Sequence, residues 1–310
     1  QLLPEISFKG AGHICLEIVR AFLEAGHFAT AVVAAELGVK QVAESEIVKQ
    51  LNAYAAFGSL FMSGDIEGAA ERLRAMLQEA SNDSAFGVKA LTTELLAKCL
   101  ALGVTFRVFP DIRMLQARAL ISEAAERYTD IGEVDKARRC KFNAGQLELM
   151  GPYVNRTAGN AIFEVLLSEP KIANSPGTAR DAKLKLVESN LSAVQFTGTV
   201  KELEKNFNTM LGRSKKPSSP LEAAFKKLTY ARILKTHGFD AVSALEFALQ
   251  GFEDADHLGG VYEALSALAS LALERGHYTK ALRFFTRLLK VSDRMSFSQG
   301  CAVSKLGIFQ

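Results

Sequence analysis

A short pattern recurs along this chain: a glycine is followed, five residues later, by an alanine, and amphipathic segments with helical periodicity lie on both sides. Glycine allows a tight turn between helices, because it adopts backbone conformations that other residues avoid. Alanine allows two helices to approach closely, because its side chain is small. The repetition therefore predicts an array of helical hairpins. The pattern occurs at Gly26 and Ala31, Gly64 and Ala69, Gly132 and Ala137, and Gly276 and Ala281.

The distances between turn glycines give a repeat length. Gly26 and Gly64 are 38 residues apart, and so are Gly238 and Gly276. Gly238 departs from the pattern, because its alanine, Ala244, follows by six residues rather than five. A further 38 residues after Gly276 would place another turn just past residue 310, so we expect the last repeat to be truncated.

Composition agrees with a helical array. Hydrophobic residues make up 48% of the 310 residues, and only seven are proline, which favours helix over sheet. The chain exceeds the usual size of one compact domain, but an array has no such limit, because each hairpin buries its apolar surface against its neighbours. Fifteen helices are predicted, beginning near residues 11, 27, 45, 65, 85, 111, 133, 157, 177, 199, 220, 240, 256, 278 and 296.

Glycines outside the pattern predict further helix ends. Gly38, Gly103, Gly151 and Gly212 each follow a segment with helical periodicity, and glycine commonly terminates a helix. The stretch 213–219 is rich in serine and contains proline, so it is predicted to be a mobile loop.

One hairpin, in the segment 256–292, has small and aromatic residues at set positions on both sides of its glycine turn. They are Tyr262, Leu265, Leu268, Ala269, Ala272, Gly276, Tyr278, Ala281 and Phe285. This hairpin resembles a tetratricopeptide repeat, a family with small and aromatic residues at fixed positions of two helices joined by a glycine turn. The resemblance implies an all-α fold, a right-handed α-solenoid of about seven helix pairs plus a truncated last helix.

The resemblance is uneven along the chain, being good at 256–292 and weak from 85 to 212. We expect one continuous superhelix over residues 1–310, because the connecting stretches are too short to require separate domains. Its predicted parts are regular N-terminal repeats at 11–80, an irregular helical middle at 81–212, the loop at 213–219 and regular, truncated C-terminal repeats at 220–310.

In the tetratricopeptide family the first helix of each pair lines a concave groove. Groove positions are transferred by counting back thirteen, ten, six, three and two residues from each turn glycine, which also gives His13 and Leu16. The candidates for a partner-binding groove are Arg20, Tyr54, Phe61, Met62, Arg232, Lys235, Glu263, Ser266, Ser270 and Glu274.

Two kinds of groove chemistry follow from these candidates. Tyr54, Phe61 and Met62 would form an apolar, aromatic surface for a partner helix or peptide, and the alternative is that they pack against an adjacent helix. Arg232 and Lys235 would bind carboxylates of a partner. The lysine and asparagine clamp with which some family members hold chaperone C-termini is absent, which argues against a chaperone co-factor of that type.

Charge and cysteine usage narrow the partners and the compartment. The 37 basic and 34 acidic residues give a net charge of +3, which is too even to favour nucleic acid or an anionic membrane. No apolar run approaches the roughly 20 residues that span a bilayer, so no membrane span is expected. The four cysteines are too far apart for a metal site and are interpreted as reduced thiols of an intracellular, cytoplasmic protein.

Catalytic motifs are also missing from the sequence. The chain has no glycine-rich phosphate loop and no His-Glu-x-x-His pattern, so we expect no catalytic residues, no metal and no cofactor. The sequence therefore predicts a non-enzymatic scaffold or adaptor that holds partner protein segments in its groove, as a subunit of a larger assembly. The alternative is the peptide- or ligand-sensing array of a bacterial regulatory protein, and an enzyme built on a helical array is a third reading.

Overall fold

The fold of the chain is all-helical. The structure is a computed structural model that describes residues 11–81, 85–151, 153–212 and 219–309. Over these residues it contains fifteen α-helices, one short 3-10 helix at Ile172–Asn174 and no strand. Every α-helix begins within two residues of the position that the sequence predicts. The predicted all-α class is therefore confirmed.

The helices are numbered in chain order. They are α1 Ala11–Ala25, α2 Phe28–Gln41, α3 Ser45–Ser63, α4 Ile66–Ser81, α5 Phe86–Thr105, α6 Ile112–Asp130, α7 Val134–Glu148, α8 Arg156–Ser168, α9 Pro176–Ala193, α10 Val200–Leu211, α11 Pro220–Thr236, α12 Val242–Asp254, α13 Leu258–Glu274, α14 Tyr278–Met295 and α15 Ser298–Phe309. Among the described residues, none of these helices has the length and apolar character to cross a lipid bilayer.

The chain forms two compact units. Unit 1 comprises Gln1–Tyr153 with Met295–Ser298, and unit 2 comprises Val154–Arg294 with Gln299–Gln310. Consecutive helices pack together from α1 to α7 in unit 1 and from α8 to α13 in unit 2. In addition, α3 contacts both α1 and α5 in unit 1, and α9 contacts α11 in unit 2. In these three cases, odd-numbered helices that are next but one in the chain are neighbours. The single superhelix over 1–310 stays a prediction.

The glycines of the sequence pattern have one conformation in common. Gly26, Gly64, Gly132, Gly238 and Gly276 follow the ends of helices with φ angles of 86°, 76°, 77°, 74° and 70°. Except at Gly64, the amide after the glycine donates to the carbonyl five residues earlier, as His277 does to Ala272 at 2.8 Å. This is the Schellman arrangement, which satisfies carbonyls that the helix end leaves unpaired.

The spacing of five residues follows from the same geometry. The residue after the glycine is also the N-terminal cap of the next helix, so the fifth residue is the first to bond within that helix. Ala31 donates to His27 at 2.9 Å, and Ala281 donates to His277 at 3.0 Å. The alanines are buried, and their small side chains allow the helices of a hairpin to approach closely. The pattern therefore encodes two helices joined without an intervening loop.

The turn after Gly238 shows why its alanine comes one residue late. Three residues separate Gly238 from α12, and the Asp240 carboxylate accepts a hydrogen bond from the Val242 amide at 3.0 Å. A turn of the Schellman type also occurs with a non-glycine residue: Asp256 has a φ of 47°, and the next amide, that of His257, donates to Phe252 at 2.9 Å. The glycine pattern does not reveal this last turn.

Two of the four further glycines were predicted wrongly as helix ends. Gly151 and Gly212 do follow helices, with φ angles of 78° and 83°. Gly38 and Gly103 instead lie inside α2 and α5. A Cβ at Gly103 would overlap the ring of Phe109, so this glycine makes room for a side chain. The loop predicted at 213–219 lies outside the described residues except for Ser219, whose hydroxyl caps α11.

The turn glycines are expected to be sensitive to substitution. Replacing Gly276 by alanine should lower the free energy of unfolding by about 1 kcal/mol, because a side chain disfavours the left-handed conformation. Gly177 is a matched control, since it has open space around it like Gly276 but lies in the first turn of α9. Gly177→Ala should be neutral or stabilising in urea denaturation followed by circular dichroism. Equal losses in both variants would contradict the role of the turn.

Candidate functional site

Unit 1 has a pocket of about 370 Å³ on the side formed by its odd-numbered helices. His13 and Leu16 reach it from α1, and Tyr54 reaches it from α3. These three positions come from the counting rule that transferred the groove. The start of α5 and the turn between α6 and α7 complete the wall. The pocket therefore lies where three odd helices and one glycine turn converge.

The rim of the pocket is acidic. Glu17, Glu44, Glu46 and Glu133 line it and are exposed to solvent. Glu17 is paired with Arg20 at 2.5 Å, and Glu133 with Lys136 at 3.5 Å. Within the described part of the chain, Glu44 and Glu46 form no ion pair.

The floor of the pocket is aromatic and aliphatic. Tyr54 and Tyr128 are buried there together with Leu16, and Phe86 stands at the edge with 59% of its surface exposed. Among the described residues, the Tyr54 hydroxyl has no hydrogen-bond partner. Burial raises the pKa of Tyr54 well above its ordinary value, so this hydroxyl stays neutral.

A buried carboxylate supports the floor from behind. The Tyr128 hydroxyl donates to Glu94 Oε2 at 3.0 Å, and Lys98 Nζ donates to Glu94 Oε1 at 2.5 Å. Burial opposes ionisation of Glu94, but the charge of Lys98 and the hydrogen bonds from Lys98 and Tyr128 outweigh it, so the pKa of Glu94 lies below its ordinary value. Burial beside this carboxylate raises the pKa of the Cys140 thiol, which is therefore not a reactive thiolate.

The turn at Gly132 holds this wall of the pocket in place. The amide of Glu133, the residue after Gly132, donates to the Tyr128 carbonyl at 2.9 Å. The same turn carries Ile131 and Lys136 into the pocket lining. A recurring structural turn therefore positions Tyr128, whose hydroxyl donates to Glu94.

In unit 2, predicted groove residues form ion pairs with one another. Lys235 of α11 bonds to Glu274 of α13 at 2.8 Å, and Arg232 pairs with Glu263 of α13. Arg232 also lies 3.5 Å from Glu188 of α9. The structure thus brings together four of the ten candidates. Their charges are already compensated within the chain.

The other candidates are placed differently. Tyr54 and Phe61 are 8% and 9% exposed, so both contribute to the core, as the packing alternative describes. Phe61 is stacked on Phe28 with ring centroids 3.9 Å apart. Met62 is 42% exposed at the end of α3. Of the remaining three, Arg20 is half-buried beside the pocket, and Ser266 and Ser270 are half-buried on α13. A binding role for the set stays a prediction.

Unit 2 has a smaller pocket, of about 160 Å³, that Lys226 and Lys227 help to line. Lys227 Nζ lies 5.7 Å from the Tyr230 ring centroid and 5.9 Å from that of Phe247. Lys226 Nζ lies 6.0 Å from the centroid of Phe207. The rings of this pocket are therefore covered by cations of the chain itself.

No protein-family model matches the chain, and no curated protein matches it. Within the described residues, no three His, Cys, Asp or Glu side chains come together as a group able to hold a metal ion.

Sequence reasoning missed Glu94, Tyr128 and the unpaired carboxylates Glu44 and Glu46. A usable signal existed for Glu94, which lies in an apolar helix four residues before Lys98, the spacing at which two side chains meet. The contact of Glu94 with Tyr128 joins residues 34 apart in the chain and has no local signature.

The Glu94 and Lys98 pair is expected to stabilise unit 1. Glu94→Gln should lower the free energy of unfolding by about 2 kcal/mol, which is less than for a fully buried pair. The expected loss is smaller because the Lys98 side chain is 37% exposed to solvent. The double variant Glu94→Gln, Lys98→Met should lose less than the single variant, since it leaves no uncompensated charge. If the single and the double variant lose the same free energy of unfolding in urea denaturation, the ion pair is not the source of the stability.

The same pair predicts a dependence on pH. The pKa of Glu94 is lower in the folded chain than its ordinary value of 4.5. The ionised carboxylate therefore contributes fully to the free energy of unfolding above that value, and this contribution is lost as the pH falls through the folded pKa. The stability difference between the wild type and Glu94→Gln should be constant between about pH 6 and pH 8 and should shrink below about pH 4.5. Urea denaturation at each pH measures it, and a difference that grows in acid would contradict the assignment.

Proposed function

We propose that the chain is a non-enzymatic scaffold that binds segments of partner proteins on the face of its odd-numbered helices. In this proposal the helices form a right-handed α-solenoid of tetratricopeptide-like pairs, within a larger intracellular assembly. The observation that carries the proposal is the recurring Schellman turn with a buried alanine five residues after its glycine. Arrays built from such hairpins expose an extended face that suits protein segments.

The contacts of the odd-numbered helices support this reading. Helix α3 contacts α1 and α5, and α9 contacts α11, as in an array whose first helices lie side by side. Ion pairs join Arg232 to Glu263 and Lys235 to Glu274, so the side chains of α11 and α13 reach one another. Neighbouring first helices of this kind are expected when hairpins are stacked.

The paired charges on α11 and α13 modify the expected mode of binding. Lys235 and Arg232 are not free to receive a carboxylate, because Glu274 and Glu263 already occupy them. A partner segment would have to exchange one exposed ion pair for another, at little net gain. We therefore assign the stronger binding contribution to the unit 1 pocket, where unpaired carboxylates and exposed aromatic surface occur together.

Site-specific photo-crosslinking tests which face binds. Phe86, at the start of α5, and Tyr278, at the start of α14, are exposed aromatic residues, at 59% and 68%, on an odd and an even helix. Replacing either by p-benzoylphenylalanine is a small change. In an extract of the source cells, the Phe86 variant should give discrete crosslinked proteins and the Tyr278 variant should give none. Crosslinks at Tyr278 alone, or at neither position, would contradict the proposed face.

A further inference from the structure

We propose that the pocket of unit 1 binds the cationic side chain, lysine or arginine, of a partner protein segment. The inference rests on the proposed function and adds the chemistry of what is recognised. Three independent features of the pocket support it: the charge of its rim, the aromatic surface of its floor and an unpaired hydroxyl within it.

The rim supplies negative charge that the chain does not fully compensate. Four carboxylates line the pocket, against one lysine and one exposed histidine. Glu44 and Glu46 lie together at the start of α3 with no ion pair in the described part of the chain. An acidic segment would be repelled here, whereas an ammonium or guanidinium group would pair with these carboxylates.

The aromatic rings of the pocket already contact cations of the chain. Lys136 Nζ lies 5.9 Å from the ring centroid of Tyr128, and Lys89 Nζ lies 5.5 Å from that of Phe86. Such distances allow attraction between a cation and the face of a ring. Tyr128 is buried, but Phe86 keeps 59% of its surface exposed at the pocket edge, and this surface is available to a further cation.

The hydroxyl of Tyr54 supplies a directional contact. Tyr54 is 8% exposed and lines the pocket, and among the described residues its hydroxyl has no hydrogen-bond partner. Its oxygen is not one of the fully buried side-chain atoms that lack a partner, so it is open to the pocket and can accept a hydrogen bond from a ligand. Lysine and arginine side chains carry only donors, so either fits an oxygen acceptor at this position.

The size and the apolar part of the pocket suit a long side chain. A volume of about 370 Å³ lies in the range of small-ligand pockets. Leu16, Ile47 and Leu91 line it, and they can cover the methylene groups of lysine or arginine while the charged end meets the carboxylates. The occupant is therefore a cation on an aliphatic stem.

Binding of defined peptides to the full chain tests the inference. The probes are fluorescein-labelled pentapeptides of alanine with a central lysine, arginine, norleucine or glutamate, followed by fluorescence anisotropy. The lysine and arginine peptides should bind about tenfold more tightly than the norleucine peptide, and the glutamate peptide should bind weakest. Binding of the cationic peptides should weaken as salt is raised, because the carboxylates are exposed.

Variants locate the binding in the pocket. The double variant Glu44→Gln, Glu46→Gln should weaken the lysine peptide about fivefold, and Glu71→Gln, an exposed carboxylate of α4, should not. Tyr54→Phe should weaken it by a similar factor without loss of thermal stability, because the hydroxyl has no partner to lose. A Tyr54 with a purely structural role would change stability and leave binding unaltered.

Three outcomes would overturn the inference. They are equal binding of the norleucine and lysine peptides, equal binding by the double variant and the wild type, and binding of spermidine tenfold tighter than the lysine peptide. The last would assign the pocket to a free amine instead of a protein side chain. These failures leave the scaffold proposal in place if Phe86 still crosslinks to proteins, whereas the absence of crosslinks overturns the scaffold proposal itself.

Discussion

The left-handed glycine at the end of a helix is the constraint on which the rest of this structure depends. At Gly26, Gly132, Gly238 and Gly276 it lets the chain reverse while two otherwise unpaired helix carbonyls are satisfied by the next two amides. A residue with a Cβ would be sterically strained at these positions, and a longer loop would lose more conformational entropy on closure. Where the next helix follows at once, the fifth residue is a buried alanine, whose small side chain allows close packing of the helices.

The candidate site depends on contacts between helices of different hairpins. In unit 1, α3 contacts both α1 and α5, and these three helices line a pocket that no single hairpin could form. The turn at Gly132 orients Tyr128, and the hydroxyl of Tyr128 meets the buried carboxylate of Glu94. Structural elements that recur for reasons of packing thus assemble a cluster of charge and aromatic surface that has chemistry of its own.

Local features of this fold were predictable from sequence, and long-range ones were not. Glycine turns and helix ends depend on residues that lie within one helical turn of each other. The sequence therefore predicts the fifteen helices correctly. The groove positions could be counted from the turns, but their environment could not, and Phe61 is buried against Phe28. Likewise Arg118 of α6 donates to the Leu147 carbonyl at 3.0 Å and 2.8 Å and so caps α7, a contact with no pattern in the sequence.

Amide hydrogen exchange measured by nuclear magnetic resonance is the most direct test of the turn. In the structure the amides of His27, Glu133, Phe239 and His277 each donate to a carbonyl five residues earlier. The account predicts that all four exchange as slowly as the amides inside the adjoining helices, because each is held by a hydrogen bond of the turn. Exchange of these amides at the rates of an unstructured chain, beside protected helices, would contradict it.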